Sequence, residues 1–167
     1  MEREFYTISI YVDADENLIG IPCGESEQYG IADIDTVMLL KHPYSAEQVE
    51  DFIDKVIDAC YTKKHNDDNP VSTIERYTKK KGFINATADL TLISIVKHNG
   101  TYSIMPTFND YERGPLCIDD DERIIVENYN SGELYEHIHD IIMVYVKANA
   151  FYKEMAEVEA RKQKNEQ

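Results

Sequence analysis

Cysteine is scarce in this sequence. Its three copies, Cys23, Cys60 and Cys117, lie far apart, and none belongs to a Cys-x-x-Cys pair. An odd number of widely spaced cysteines does not suit a disulfide framework, so we expect reduced thiols in a reducing compartment. A zinc site assembled from these three residues is the weaker interpretation.

Positive charge is also scarce. The chain has 17 lysines and arginines against 32 aspartates and glutamates, which gives a formal net charge of −15. Phosphate groups would repel so acidic a protein, and the composition therefore argues against a nucleic acid or an anionic membrane as a partner. A basic protein is the natural complement. Acidity that only keeps a cytoplasmic protein soluble explains the same charge equally well.

Long apolar runs are absent from the sequence, and none approaches the roughly 18 residues of a membrane span. Residues 1–5 are mostly charged and lead directly into a strand pattern, without the basic and apolar regions of a signal peptide. We therefore expect a cytoplasmic protein with no membrane partner. A length of 167 residues with 43% hydrophobic residues is typical of one globular domain.

The sequence contains none of the common catalytic motifs: no His-Glu-x-x-His, no phosphate-binding loop, no Gly-x-Gly-x-x-Gly and no Gly-x-Ser-x-Gly. His137 and His139 are two positions apart on a predicted helix, so their side chains point in different directions. Cys60 ends an apolar stripe, which favours a core thiol over a catalytic partner for His65. Asp119–Asp121 lack the spacing of a calcium loop. We expect a binding protein with no catalytic residues, metal or cofactor.

The centre of the predicted fold is a β-hairpin over residues 90–110. Two apolar, β-branched runs flank Asn99 and Gly100, a pair suited to a type I′ turn because both central residues of that turn need a positive φ. Pro106 should end the strand pairing, since proline has no N–H to donate.

Other strands are predicted at residues 5–12, 18–23, 116–118 and 124–127, and residues 24–35 are predicted to form a polar loop. The continuous apolar run at residues 36–40 indicates a strand buried on both faces.

Two amphipathic helices are predicted to cover the sheet. Ser45 and Gln48 form a capping box, and an apolar stripe extends from there to about Cys60, with acidic residues on the solvent face. Ser131 is predicted to open the last helix, whose first five turns should pack on the sheet. The fold class is therefore α/β of the α+β type. We expect one domain over residues 1–152, with a mostly antiparallel sheet, and a charged helical extension over residues 153–167.

A shorter helix is predicted over residues 71–81. Ser72 and Glu75 form its capping box, three lysines occupy its last turn, and Gly82 should cap its end. Ile74, Tyr77 and Thr78 are expected to face inward.

Residues 77–116 resemble the contact-dependent growth inhibition (CdiI-like) immunity proteins. The order of elements agrees with that family across most of the chain. The residues that carry the resemblance are Tyr77, Lys81, Gly82, Phe83, Ile93, Ile95, Gly100, Ile104, Pro106 and Thr107.

This resemblance implies a cytoplasmic protein that binds the C-terminal toxin domain of an exported effector, often a nuclease, and blocks its active site. A nuclease needs a basic cleft for phosphates, and an acidic protein could be steered into that cleft. The toxin-binding candidates are two acidic loops, in which Tyr111 would be the aromatic anchor: Asp110, Tyr111, Glu112, Asp119, Asp120, Asp121 and Glu122.

An alternative binding face is the acidic side of the first long helix, formed by Glu47, Glu50, Asp51 and Asp54. Two other functions stay open. One is an acidic adaptor or nucleic-acid mimic that inhibits another basic protein, and the other is an enzyme with an unrecognised site.

Overall fold

Antiparallel pairing organises the whole molecule, which the computed structural model describes for residues 3–117 and 119–167. The nine strands are β1 (Phe5–Val12), β2 (Leu18–Ser26), β3 (Gly30–Asp33), β4 (Met38–Leu40), β5 (Thr91–His98), β6 (Thr101–Pro106), β7 (Phe108–Asp110), β8 (Gly114–Leu116) and β9 (Ile124–Glu127). Seven of them form the main sheet in the order β3-β2-β1-β5-β6-β9, with β4 pairing to the first half of β2. Strands β7 and β8 pair with each other.

The predicted central hairpin is confirmed. Strands β5 and β6 are joined by Asn99 and Gly100, whose φ angles of 47° and 78° are the positive values that a type I′ turn requires. Pro106 is the last residue of β6. Strand β5 also pairs with β1 along its full length, so the hairpin occupies the middle of the sheet.

Helices cover both faces of this sheet, and the two main helices share one face. Helix α1 (Ala46–Asp58) begins with the predicted capping box of Ser45 and Gln48, and its apolar stripe is buried. The opposite face is covered by the short helices α2 (Thr73–Thr78) and α3 (Phe83–Thr87), which pack Ile74 and Ala86 onto β1 and β2.

The second main helix on the α1 face is α4 (Glu133–Ile141). A π-helical turn (Ile142–Val146) follows it, and α5 (Lys147–Asn165) then continues the same rod. Buried positions extend along this rod as far as Asn149. The predicted α+β class, with an antiparallel sheet packed by two main amphipathic helices, is confirmed. None of the described helices combines the length and apolar character needed to cross a membrane.

Residues 24–40 differ from the sequence prediction. Strand β2 continues to Ser26 and pairs with β3, so the predicted polar loop contains two strand segments. Strand β4 has only three residues, and its Leu39 is exposed. The prediction of burial on both faces was wrong because β4 pairs only to the outer side of β2, at the edge of the sheet.

The ends of two predicted helices also need correction. Helix α2 starts at the predicted Ser72–Glu75 capping box but ends at Thr78, because Lys79 adopts a left-handed conformation with φ of 58°. Gly82 instead precedes α3, and Tyr77 is exposed. Helix α4 begins after Gly132, and the side chain of Ser131 does not cap it. The strand predicted at residues 116–118 ends at Leu116, and Ile118 lies outside the described residues.

Candidate protein-interaction surface

The first acidic loop is the turn between β7 and β8. The Asp110 carboxylate accepts hydrogen bonds of 2.9 Å from the backbone N–H groups of both Glu112 and Arg113. These bonds hold the pKa of Asp110 below its usual value. Asp110 therefore shapes the turn, while Tyr111 and Glu112 are exposed at its tip.

This hairpin is fixed to the last helix of the protein. Phe108 packs against Tyr145 with 4.5 Å between ring centroids. The buried Asn149 side chain accepts a 2.9 Å hydrogen bond from the backbone N–H of Asn109. At the tip, partial burial and then the nearby Glu157 charge raise the pKa of Tyr111. The base of the hairpin is therefore held against the π turn and the start of α5.

The second acidic loop is a 3₁₀ turn (Asp120–Glu122) that Asp119 caps by accepting from the Asp121 N–H at 3.1 Å. Glu122 accepts a 2.7 Å hydrogen bond from the Tyr145 hydroxyl. Burial, together with this bond, raises the pKa of Tyr145 to about 12. The same tyrosine thus contacts both the base of the β7–β8 hairpin and the 3₁₀ turn.

The structure therefore places both predicted acidic loops along one helix. The 3₁₀ turn contacts it at Tyr145, and the base of the hairpin contacts it at Tyr145, Asn149 and Tyr152. We call the residues of the two loops together the acidic surface, in which Asp110 is half-buried and the others are exposed: Asp110, Tyr111, Glu112, Asp119, Asp120, Asp121 and Glu122.

The alternative face on α1 is divided. Glu47 and Asp51 are exposed, but Glu50 is only 6% exposed, and its carboxylate accepts from the backbone N–H groups of Gly132 and Tyr135 at 2.7 and 3.2 Å. Glu50 therefore caps the start of α4. The expectation that this residue lies in solvent was wrong.

Asp54 on the same helix is also engaged inside the protein. It accepts hydrogen bonds from the hydroxyls of Tyr102 at 3.0 Å and Tyr129 at 3.3 Å. Burial and the Asp54 charge raise the pKa of both phenols. Within this alternative face, only the side chains of Glu47 and Asp51 are fully available to a partner.

Of the three cysteines considered for a metal site, two lie together in the core, where the side chains of Cys23 and Cys60 are hydrogen-bonded to each other. Cys23 and Cys60 are buried, Cys117 is exposed, and His65 contacts the Asp33 carbonyl oxygen at 2.5 Å. Among residues 3–117 and 119–167, no three histidine, cysteine, aspartate or glutamate side chains are grouped so that they could hold a metal ion.

The last helix is expected from the sequence to pack on the sheet over its first five turns and to protrude over residues 153–167. Its exposed apolar residues begin earlier, because Val144 and Phe151 are already 58% and 57% exposed, and Met155 is 47% exposed. The signal in the sequence was the continuation of the apolar spacing beyond the length that the domain needs.

No protein-family model matches this chain, and no curated protein matches it significantly in sequence. Solved structures share its fold, among them the following two. A Neisseria meningitidis protein of unknown function is 15% identical with a TM-score of 0.58, over 80% of this chain and 91% of that chain. A chain of the CdiA-CT/CdiI toxin and immunity complex from Yersinia pseudotuberculosis is 12% identical with a TM-score of 0.54, over 78% and 90%. The protein therefore has a fold that also occurs in a toxin and immunity complex.

Proposed function

We propose that this protein is an immunity protein that binds and neutralises a cognate toxin domain of a contact-dependent growth inhibition system. The observation that carries the proposal is the fold shared with a chain of a toxin and immunity complex over 78% of the present chain. The resemblance of residues 77–116 to the same class of protein supports it independently of the overall fold.

The charge of the protein suits this role. A toxin that cleaves nucleic acid needs a basic cleft, and a protein with a net charge of −15 would be attracted to it over several ångströms. Oppositely charged surfaces raise the rate of association and disfavour wrong partners. Rapid capture is the property that an antidote acting in the cytoplasm would need.

The acidic surface is the proposed contact region. Tyr111 is an exposed aromatic residue at the end of a hairpin whose base is held by Phe108 and Asn109, so little flexibility would be lost on binding. Glu112 at the same tip and the 3₁₀ turn at Asp120–Glu122 supply negative charge to this surface. Binding there would cover the toxin's active site, and the immunity protein itself would perform no chemistry.

The test is to co-express this chain with the C-terminal domain of the neighbouring open reading frame. The proposal expects that the domain alone stops growth, that co-expression restores growth, and that the two proteins co-purify at low salt. A harmless neighbour, or two proteins that do not associate, would contradict it. An acidic adaptor would instead bind several unrelated basic proteins.

The contact region is tested by the double variant Tyr111→Ala, Glu112→Lys. We expect it to weaken the toxin complex at least tenfold, because it removes the anchor and reverses a charge. The matched control is Glu47→Lys, Asp51→Lys, which changes charge on the alternative face without disturbing Glu50 or Asp54. If only the control weakens binding, the contact region lies on α1.

A further inference from the structure

Two of the three cysteines meet in the hydrophobic core, although they belong to different parts of the chain. Cys23 lies on β2, and Cys60 follows the end of α1. Their side chains are hydrogen-bonded to each other, and the two residues are only 4% and 6% exposed. Two thiols in direct contact are the starting arrangement for a disulfide, which needs Cβ atoms that lie close together.

The backbone holds the two cysteines side by side. The Tyr61 N–H donates to the Cys23 carbonyl oxygen at 2.8 Å, so the residue that follows Cys60 is fixed to β2. The Cys60 sulfur lies 3.7 Å from the carbonyl oxygen of Thr7 on β1, and the Cys23 thiol contacts the same carbonyl group. Both sulfur atoms are therefore held at one point on the sheet, where movement of the side chains alone can join them.

The contact makes one of the two sulfur atoms the better nucleophile. The hydrogen bond from Cys60 lowers the pKa of Cys23, because it stabilises the thiolate. The same contact, followed by burial, raises the pKa of Cys60. Since the thiolate is the form that reacts with oxidants, Cys23 is the sulfur that reacts first and Cys60 is the resolving thiol beside it.

Tyr61 restricts access to this pair. It is half-buried and contacts Cys23, so it lies over the thiols. Its φ of 61° is rare for a bulky side chain. Its hydroxyl donates to the Phe5 carbonyl oxygen at 2.8 Å, and the Arg3 guanidinium lies 4.7 Å from the centroid of its ring. A cover held in this way admits a small oxidant more readily than a bulky one, which favours hydrogen peroxide over a glutathione disulfide.

We propose that Cys23 and Cys60 are a site of reversible oxidation, at which hydrogen peroxide converts the two thiols into an intramolecular disulfide. The Cys23 thiolate attacks one peroxide oxygen, the O–O bond breaks, and the departing hydroxide takes up a proton to become water. The Cys60 sulfur then attacks the Cys23 sulfenic acid, the S–S bond forms, the S–O bond breaks, and a second water leaves. The two thiols lose two electrons and two protons, which the peroxide receives.

This bond would connect β2 to the end of α1. The loop that it closes contains β3, β4 and α1, so it restricts the unfolded chain and should stabilise the folded protein. The inference goes beyond the proposed function and does not depend on it, because it concerns only the chemistry of the two thiols.

The first experiment uses the full chain with Cys117→Ser, which removes the exposed thiol and leaves the buried pair. The folded protein is treated with hydrogen peroxide at neutral pH, quenched with catalase, unfolded and alkylated with iodoacetamide. We expect a product that has lost two hydrogen masses, resists alkylation, contains a cross-linked peptide with Cys23 and Cys60, and returns to the dithiol with dithiothreitol. The proposal is overturned if both thiols survive a dose that oxidises Cys117 in the wild type, or if the products only gain oxygen.

Thermal unfolding tests whether the folded protein accommodates the bond. Oxidation of the Cys117→Ser protein should raise its melting temperature by about 5 °C or more. The matched controls are Cys23→Ser, Cys117→Ser and Cys60→Ser, Cys117→Ser, which each keep one thiol and should show no rise. The control that keeps Cys23 should stop at a sulfenic acid that dimedone traps. An unchanged or lower melting temperature after oxidation, or an equal rise in the single-thiol controls, would overturn the proposal.

Discussion

Glu50 shows how one buried carboxylate can stabilise a helix to which it does not belong. It belongs to α1, yet it accepts from the Gly132 and Tyr135 N–H groups at the start of α4. These donors have no partner within their own helix, and Gly132 has no side chain to cap them. Glu50 therefore stabilises the last helix and fixes it to the first.

We predict that Glu50→Ala lowers the free energy of unfolding by about 2 kcal/mol, since two N–H groups lose their acceptor in a buried site. Urea unfolding followed by circular dichroism measures this. Asp51→Ala, one position along on the exposed face, should change stability by no more than about 0.5 kcal/mol. Equal effects of the two substitutions would mean that Glu50 does not act as a cap.

Gly24 is a second residue with a long-range role. A Cβ atom there would collide with the Lys63 carbonyl oxygen and with the Ile34 side chain. The segment that follows α1 also hydrogen-bonds to β2, through the Tyr61 N–H to Cys23 and the His65 N–H to Glu25, both at 2.8 Å. This close approach holds the connection against the strand.

Gly24→Ala should therefore destabilise the protein by about 2 kcal/mol, because a backbone carbonyl must move to accept the methyl group. The control is Ala32→Gly on β3, at the strand position opposite Gly24, which removes a methyl group where Gly24→Ala adds one. It should weaken the strand by no more than about 1 kcal/mol. Thermal unfolding of both variants gives the comparison, and a neutral Gly24→Ala would contradict the close packing.

At the scale of elements, Asp89 connects three parts of the chain. It lies between α3 and β5, and its carboxylate pairs with Lys80 at 2.8 Å and with Lys153 on α5. The two lysines hold the pKa of Asp89 below its ordinary value of 3.8. The same pair raises the pKa of Lys153.

This shift sets the pH dependence of the contact. Because the folded-state pKa of Asp89 is lowered, its stabilising contribution is complete above the ordinary value of 3.8 and is lost as pH falls through the folded value. We predict that Asp89→Asn lowers the melting temperature at pH 7 and that the difference from wild type shrinks once the pH falls below 3.8 and vanishes below the lowered folded-state pKa. Melting curves at several pH values measure it. A difference that stays constant across this range would exclude the ion pairs as its cause.

Elements that are determined by residues close together in the sequence were predicted correctly. The Ser45 and Ser72 capping boxes and the Asn99–Gly100 turn each satisfy their own hydrogen bonds or φ angles, so the local pattern is sufficient. Strand β3 was missed because Gly30–Asp33 has little apolar pattern and exists through pairing with the end of β2.

The candidate site was predicted only in part, because its arrangement also depends on contacts between separate elements. The acidic loops could be recognised from composition, but their common position along the last helix depends on contacts of Tyr145 with Phe108 and Glu122. The cap formed by Glu50 likewise depends on residues that are distant in sequence. No local rule identifies these features.

At the scale of the whole molecule, the net charge of −15 predicts two opposite effects of salt. Raising salt from about 0.05 to 0.5 M should stabilise the free protein, by roughly 1 kcal/mol, because it screens repulsion among carboxylates. The same change should weaken a complex with a basic toxin domain at least tenfold. Urea unfolding and titration at both salt concentrations measure the two effects. A complex that is insensitive to salt would indicate that charge does not drive the association.

The pairing of β1 with β5 also determines when the protein can fold. Phe5 is opposite His98, so the centre of the sheet closes only after about a hundred residues have left the ribosome. The β1–β2 and β5–β6 hairpins are local and can form early, but joining them closes a long loop, which slows folding toward milliseconds or seconds. A newly made chain would thus spend an interval with its sheet incomplete. The proposed antidote would be inactive during that interval, so molecules that folded before a toxin arrived would be the ones to protect the cell.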